Sequence, residues 1–253
     1  MDVGSDVNFD GRATGFEVEI YGSSKGHIRM RVLWDDLLTE VPGISRGGLS
    51  ILDAGGGAGH LSLLMAERDN RVLLCDPSRE MLNMAEESVR DAGLEDLVIT
   101  RHSTIQDLDE PEAGFDVITC HAVLEWLGDP EATLKHLVRY LRTDGLMSLM
   151  FYNQNAAVLK RALRGHFAEA LKEPDTNSQG CTPLSEETVR TWLADLGMSI
   201  RSKSGIRMFH DHLPEEARNG DRLEDLLRLE KALRKQEPFA SLGQHVHLIC
   251  ERA

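Results

Sequence analysis

The residues best placed to do chemistry begin at Asp53. The run Ile51-Leu52-Asp53-Ala54-Gly55-Gly56-Gly57-Ala58-Gly59 carries a short apolar segment into a glycine cluster. Glycines lack a Cβ, so a ligand can lie against bare backbone, and a helix starting just after the turn points its amides at that ligand. A second acid, Asp76, closes the next apolar run, Arg71 to Asp76. At the tip of a strand its carboxylate can accept hydrogen bonds from both hydroxyls of a ribose. The loop reads D-x-G-G-G-x-G rather than the G-x-G-x-x-G of a pyrophosphate-binding turn. An acid ahead of the glycines, Asp53, suits an ammonium better than a pyrophosphate. Ile105 and Gln106 follow a third apolar run, where an adenine would be sandwiched by an apolar side chain and hydrogen-bonded by polar neighbours. His121 stands directly after a fourth run, at the carboxyl edge where open α/β sheets bind ligands. The plainer alternative is a tight turn with a solvated aspartate and a structural histidine.

These residues need a scaffold, and the chain spells one out. Strands are expected at 49–54, 71–76, 97–100, 115–120 and 146–151, with helices at 61–68, 78–92 and 130–141 between them. Such alternation implies right-handed βαβ units and a mostly parallel sheet with helices on both faces, a Rossmann-like α/β fold. Residues 27–40 place Ile28, Val32 and Asp35/Asp36 at helical spacing, and Pro42-Gly43 ends that helix. The rhythm changes after residue 152. A basic helix is expected over 155–172, a loop over 173–183 and a helix over 186–196. Two last strands, 198–209 and 245–251, form an antiparallel pair, and Leu226, Leu229 and Leu233 define a helix between them. The expected organisation is a single domain over 1–253, with an N-terminal cap over 1–45 and a substrate-facing insert at about 154–182.

Composition sets the outer limits. With 28 basic against 42 acidic residues in 253, the formal charge is −14, which disfavours indiscriminate binding to nucleic acid or anionic membrane but leaves room for a local basic patch. No run approaches the roughly 20 apolar residues of a membrane span, and the acidic start, Met1 to Asp10, shows no secretory pattern. The four cysteines form no C-x-x-C pair, so a reduced, cytoplasmic protein without structural zinc is expected.

Several segments together are more specific than the glycine loop. They are Tyr21-Gly22-Ser23-Ser24-Lys25-Gly26 with Arg29, His121-Ala122-Val123-Leu124-Glu125-Trp126, Leu149-Met150-Phe151-Tyr152-Asn153, and Gly205-Ile206-Arg207-Met208-Phe209-His210-Asp211. With Asn8-Phe9-Asp10, Cys75-Asp76, Gln106-Asp107 and Gln236-Glu237-Pro238, they run almost end to end. In them the chain resembles the tRNA 5-carboxymethoxyuridine methyltransferases, a family of class I S-adenosylmethionine (AdoMet)-dependent enzymes. It departs from that family's pattern in two places: serines stand where the N-terminal motif more often has threonines, and 173–183 lacks a lysine run.

The resemblance implies a class I methyltransferase fold with a seven-stranded sheet, AdoMet as cofactor, and methyl transfer to the carboxylate of 5-carboxymethoxyuridine at a tRNA wobble position. It implies AdoMet contacts from Arg29, Gly55, Gly56, Asp76, Ile105, Gln106 and His121, to which the glycine loop adds Asp53 and Gly57. Arg29 can grip the amino-acid carboxylate with two parallel hydrogen bonds. A carboxylate nucleophile is already ionised at neutral pH, so clamps are expected rather than a triad or a metal. Tyr152, Asn153, Arg207 and His210 are the expected clamp, with pairing of Arg207 to Asp211 as its structural alternative. Trp126 reads as either a base-stacking platform or a core aromatic. Lys160, Arg161, Arg164, His166 and Lys172 would form the patch for the tRNA anticodon stem-loop, or simply a solvated basic face. Two other classes compete: a methyltransferase acting on a small metabolite, and a non-catalytic AdoMet-binding protein.

Overall fold

The computed structural model describes residues 6–13, 15, 22–172 and 180–253. Tyr21 and residues 173–179 of the expected loop lie outside the described residues.

Seven strands form one sheet: β1 (Ser50–Ala54), β2 (Arg71–Asp76), β3 (Val98–His102), β4 (Phe115–His121), β5 (Leu141–Tyr152), β6 (Met198–Ile206) and β7 (His245–Arg252). Their order is β3-β2-β1-β4-β5-β7-β6. The first five pair in parallel, and β7 runs antiparallel to both β5 and β6, as expected of the last two strands. The order reverses at β1, so β1 and β4 leave a crevice at their carboxyl ends.

Alternation along each strand sends side chains to opposite layers. Leu52, Ile118, Met147 and Leu149 face one core with α4 (Pro130–Tyr140) and α6 (Glu186–Asp195). Ile51, Val117, Leu146 and Met150 face the other with α1 (Ser24–Glu40), α2 (His60–Ala66) and α7 (Leu223–Leu233). The remaining long helices are α3 (Arg79–Ala92) and α5 (Gln154–Leu163). All four cysteines are buried.

Two helical expectations are corrected. The basic helix of 155–172 is broken: α5 ends at Leu163, Gly165 takes a left-handed φ of 78°, and only a short turn at Phe167–Ala170 follows. Glycine at that position stops a helix. In α7 the buried face is Leu226, Leu227 and Glu230 rather than the stripe 226, 229, 233, and Leu229 is 44% exposed. Glu230 is drawn inside because its carboxylate accepts from the backbone N–H groups of Met208 (2.8 Å), Phe209 (3.0 Å) and His210 (3.1 Å).

Among the described residues no helix is long and apolar enough to cross a membrane, and no group of three or more His, Cys, Asp or Glu is arranged to hold a metal ion.

Candidate functional site

Two clefts open at the carboxyl edge of the sheet and share the walls Arg29, Ala122 and Trp126. The first, of ≈ 240 Å³, is lined by Gly55, Gly56, Gly57, Asp76, Ile105, Gln106 and His121 among others. The chain can take this shape only with glycine in the loop. Gly55 has φ 71°, and a Cβ there would lie 2.5 Å from the side chain of Val123. At Gly56 a Cβ would lie 2.7 Å from Asp53 Oδ2 and 2.9 Å from Leu74. The loop therefore lays bare backbone along the cleft.

Asp76 is aimed by its neighbours: Oδ2 accepts from Gly57 N at 3.0 Å and Oδ1 from Ser78 N at 2.8 Å. Burial pushes its carboxyl up, against those two bonds. Ile105 is buried beside Gln106, whose amide donates to Thr133 Oγ1 and Asp6 Oδ2, both at 3.0 Å. Asp6 also accepts from Gly128 N, Val7 N donates to the carbonyl of Trp126, and the Phe9 ring meets Trp126 edge-on at 5.1 Å. Residues 6–9 thus form part of the first cleft's wall, held from both sides.

Asp53 is placed differently from the expectation. Its carboxylate lies beneath the loop, 3% exposed, outside the lining of either cleft, and accepts from Thr119 Oγ1 (2.7 Å) and Ser62 Oγ (2.6 Å). Burial pushes it up as well. In this geometry it braces the loop against β4 and α2 and makes no direct wall for a ligand.

The second cleft, of ≈ 370 Å³, carries the cations Lys25, Arg29, Lys160, Arg164, Arg207 and Arg218. Burial lowers the Lys160 ammonium's pKa, and the charges of Arg164, Arg207 and Lys25 lower it further, only partly offset by Asp211. A set of crowded, half-buried cations gains most from an anion placed among them. Tyr152 lines this cleft, and burial pushes its hydroxyl up. Arg207 lines it too, held by Asp211 through Nε at 3.2 Å and through Nη2, which leaves Nη1 uncommitted to that pair. Burial alone would raise Asp211, but the hydrogen bond from His210 and the charge of Arg207 hold it well below the usual carboxylate range. The structural pairing and the cleft-facing position thus coexist in one arginine. Both Ala122 (φ 57°) and Arg207 (φ 61°) hold left-handed backbone at the cleft, a strained conformation that collects at functional sites.

Two expected clamp residues are corrected. Asn153 is 1% exposed and lines neither cleft: its amide donates to the carbonyls of Ser241 and Gly243 at 2.9 Å, and its Oδ1 caps α5 through Asn155 N at 3.0 Å. It ties β5 to the turn before β7. His210 does line the cleft, but its Nε2 bonds Ser24 Oγ and its Nδ1 bonds Asp211 Oδ1, both at 2.9 Å. With both nitrogens bonded it holds Asp211, the partner of Arg207, from the cleft wall. In the expected patch, Lys160 and Arg164 reach the cleft wall, Arg161 turns to the carbonyl of Glu169 at 3.3 Å, and His166 and Lys172 are exposed outside it. Trp126, partly buried between the two clefts, is not a core residue.

Three polar residues of the second cleft were not anticipated. Glu125 Oε2, Gln244 Oε1 and His245 Nδ1 are buried without a hydrogen-bond partner among the described residues. Burial pushes Glu125 up to about 7 and, with Arg207 and Arg29, holds His245 well below the usual histidine range. Glu125 sits in a segment that stood out in the sequence; nothing local marks Gln244 or His245.

Comparison with known proteins follows the same lines. The family described as "Methyltransferase domain" matches residues 27–203. The chain is similar to the tRNA 5-carboxymethoxyuridine methyltransferase of Escherichia coli K12, 36% identical over 98% of this chain and 97% of that one. It is also similar to the ubiquinone biosynthesis O-methyltransferase of Xanthomonas axonopodis pv. citri, 28% identical over 63% of this chain and 66% of the other. Among solved structures, magnesium protoporphyrin IX methyltransferase of Synechocystis PCC 6803, crystallised with bound SAM, superposes with a TM-score of 0.64 at 17% identity, covering 97% of this chain and 93% of that one. That likeness is one of fold.

Proposed function

Because the chain belongs to the family of the tRNA 5-carboxymethoxyuridine methyltransferases, we propose that it methylates the carboxylate of 5-carboxymethoxyuridine at the wobble position of tRNA, with AdoMet as donor. The single observation that carries this reading is the junction of two unlike clefts at Arg29, Ala122 and Trp126. One offers bare glycine backbone and a strand-tip acid; the other gathers cations around strained backbone.

AdoMet fits the first cleft on the residues present. A Cβ at Gly55 or Gly56 would collide with Val123 or with Asp53 and Leu74, so the loop meets the cleft with bare backbone. Asp76 is oriented to accept from ribose hydroxyls, and Ile105 with Gln106 offers an apolar face and a polar edge for an adenine. When bound, AdoMet supplies a methyl group on a sulfonium sulfur, an electrophile needing no further activation.

The protein's own work is placement. Lys160, Arg164 and the Nη1 side of Arg207 attract the carboxymethoxy group, and the Asp211 partner of Arg207 keeps that grip weak enough to leave the carboxylate oxygen nucleophilic. The acid is ionised at neutral pH, so no side chain has to remove a proton. Trp126 stands where an unstacked base entering from an anticodon loop could stack. Holding oxygen, methyl carbon and sulfur in line with water excluded can contribute on the order of 7–11 kcal/mol.

Two variants separate the clefts. Asp76→Ala should weaken AdoMet binding by about tenfold or more, the scale of a lost charged hydrogen bond. Arg207→Ala should lower methylation of the tRNA about tenfold while AdoMet affinity, read by calorimetry, stays near wild type. An Asp76→Ala protein with unchanged AdoMet affinity contradicts the assignment of the first cleft. An Arg207→Ala protein with unchanged turnover contradicts that of the second.

A further inference from the structure

The amino-acid end of the first cleft poses a question. Asp53, the acid that suited an ammonium, is shut beneath the loop with its oxygens on Ser62 and Thr119. On the cleft wall, meanwhile, Nδ1 of His121 is buried and has no hydrogen-bond partner among the described residues.

The other nitrogen of His121 begins a chain through the core. His121 Nε2 lies 2.8 Å from Ser148 Oγ, which lies 2.8 Å from His247 Nε2. His247 Nδ1 lies 3.0 Å from Asp36 Oδ2, and Asp36 Oδ1 accepts from Arg234 Nε at 2.7 Å. Arg234 and Lys231 also pair with Asp35. The chain crosses four elements, from the tip of β4 through β5 and β7 to α1, and Ser148, His247 and Asp36 are each at most 1% exposed.

Hydrogen-bond logic fixes where each proton sits. Burial would raise Asp36, but the hydrogen bonds from His247 and Arg234 bring it down to about 2, so Asp36 is a carboxylate and can only accept. His247 therefore carries its proton on Nδ1. At the other end of the chain Nδ1 of His121 meets no acceptor among the described residues, and a buried N–H without one is costly, so Ser148 turns its hydroxyl toward His247 Nε2. Ser148 has one proton and gives it to that nitrogen. Its oxygen then accepts from His121, whose Nε2 must carry a hydrogen. Burial, reinforced by the charge of Arg29, keeps His121 well below the usual histidine range, so it is neutral and its Nδ1 is left as a lone pair.

We propose that the chain Asp36–His247–Ser148 sets the tautomer of His121 so that its bare Nδ1 accepts a hydrogen bond from the α-ammonium of AdoMet. Arg29 shares the cleft wall with His121 and takes the adjoining carboxylate. Ser148, His247 and Asp36 are then positioning residues acting through His121. The inference rests on the reading of the first cleft as the AdoMet site.

The test reads protons directly. Full-length protein with ¹⁵N-labelled histidine, cofactor-free, should show in long-range ¹⁵N–¹H correlation a pyrrole-like Nε2 and a pyridine-like Nδ1 for His121. Adding AdoMet should move that Nδ1 toward the hydrogen-bonded range. Asp36→Asn makes a sharper expectation. Arg234 still requires an acceptor, which keeps the amide oxygen and turns the amide NH₂ toward His247, reversing every donor in the chain. The proton of His121 should then move to Nδ1, and AdoMet affinity should fall about tenfold or more. Ser148→Ala, a smaller change, should mix the two tautomers and weaken AdoMet binding about fivefold, with the KM for tRNA unchanged.

A wild-type His121 with its proton on Nδ1 overturns the proposal, whether or not any variant folds. So does a folded Ser148→Ala or Asp36→Asn protein with the wild-type tautomer and affinity. AdoMet bound by calorimetry with His121 Nδ1 unmoved overturns the proposal alone. No binding of AdoMet at all overturns the reading of the cleft and the proposal with it.

Discussion

Glu125 shows burial acting on one carboxyl. It lies on the short turn Leu124–Trp126, 2% exposed, with Oε2 unpartnered among the described residues, and burial pushes it up to about 7 from 4.5. A folded pKa above the unfolded one means that the folded protein holds the proton more tightly. Its contribution to stability is complete below about pH 4.5 and is lost as pH rises to about 7. Glu125→Gln removes this titration. Between pH 4.5 and about 8 the variant should gain on wild type by about 2–4 kcal/mol in urea denaturation; parallel pH profiles would contradict it. Sequence reading reached residues whose place is set locally. Arg29, Asp76, Ile105, Gln106 and His121 each stand in a motif or at a strand tip, and all line the first cleft. It failed where partners come from far away. Asn153 is claimed by carbonyls 88 and 90 positions on, and His210 by a serine 186 positions back. Asp53 misled for a subtler reason: a strand-tip acid reads alike whether it faces a ligand or turns under the loop.

At the scale of elements, the βα units of the first 150 residues were legible because each strand and helix is a local pattern. Even so, β5 starts at Leu141, directly after α4, where a gap had been expected. Helix α7 was legible in existence but not in orientation. A stripe of leucines would bury Leu226, Leu229 and Leu233, yet the buried acid Glu230 rotates the helix by taking three backbone N–H groups of the segment that carries Arg207. That clamp gains more than a leucine would there, because three buried donors would otherwise be unsatisfied. Leu227→Ala should therefore cost about 2–4 kcal/mol of stability, and Leu229→Ala no more than about 0.5. Chemical denaturation of the two variants decides it, and the reverse ranking would contradict the orientation of α7.

For the whole molecule, the net charge of −14 and a polyanionic substrate coexist because attraction is local. Lys160 and Arg164 stand on the cleft wall with Lys25 and Arg207, while Arg161 and Lys172 point elsewhere. Replacing Lys160 and Arg164 together by alanine should weaken tRNA binding and reduce the slope of log K against log salt by about one to two. The same change at Arg161 and Lys172 should leave the slope nearly unaltered, and equal effects would place the RNA on a different face. The central claim, a carboxylate methylated at the junction of the two clefts, is tested most directly by incubating the purified protein with AdoMet and tRNA carrying 5-carboxymethoxyuridine, then digesting the tRNA and weighing its nucleosides. The account predicts conversion of the free acid to its methyl ester, with tRNA lacking the carboxymethoxy group left untouched. An unchanged acid, or a methyl group found on any other atom of the tRNA, would contradict it.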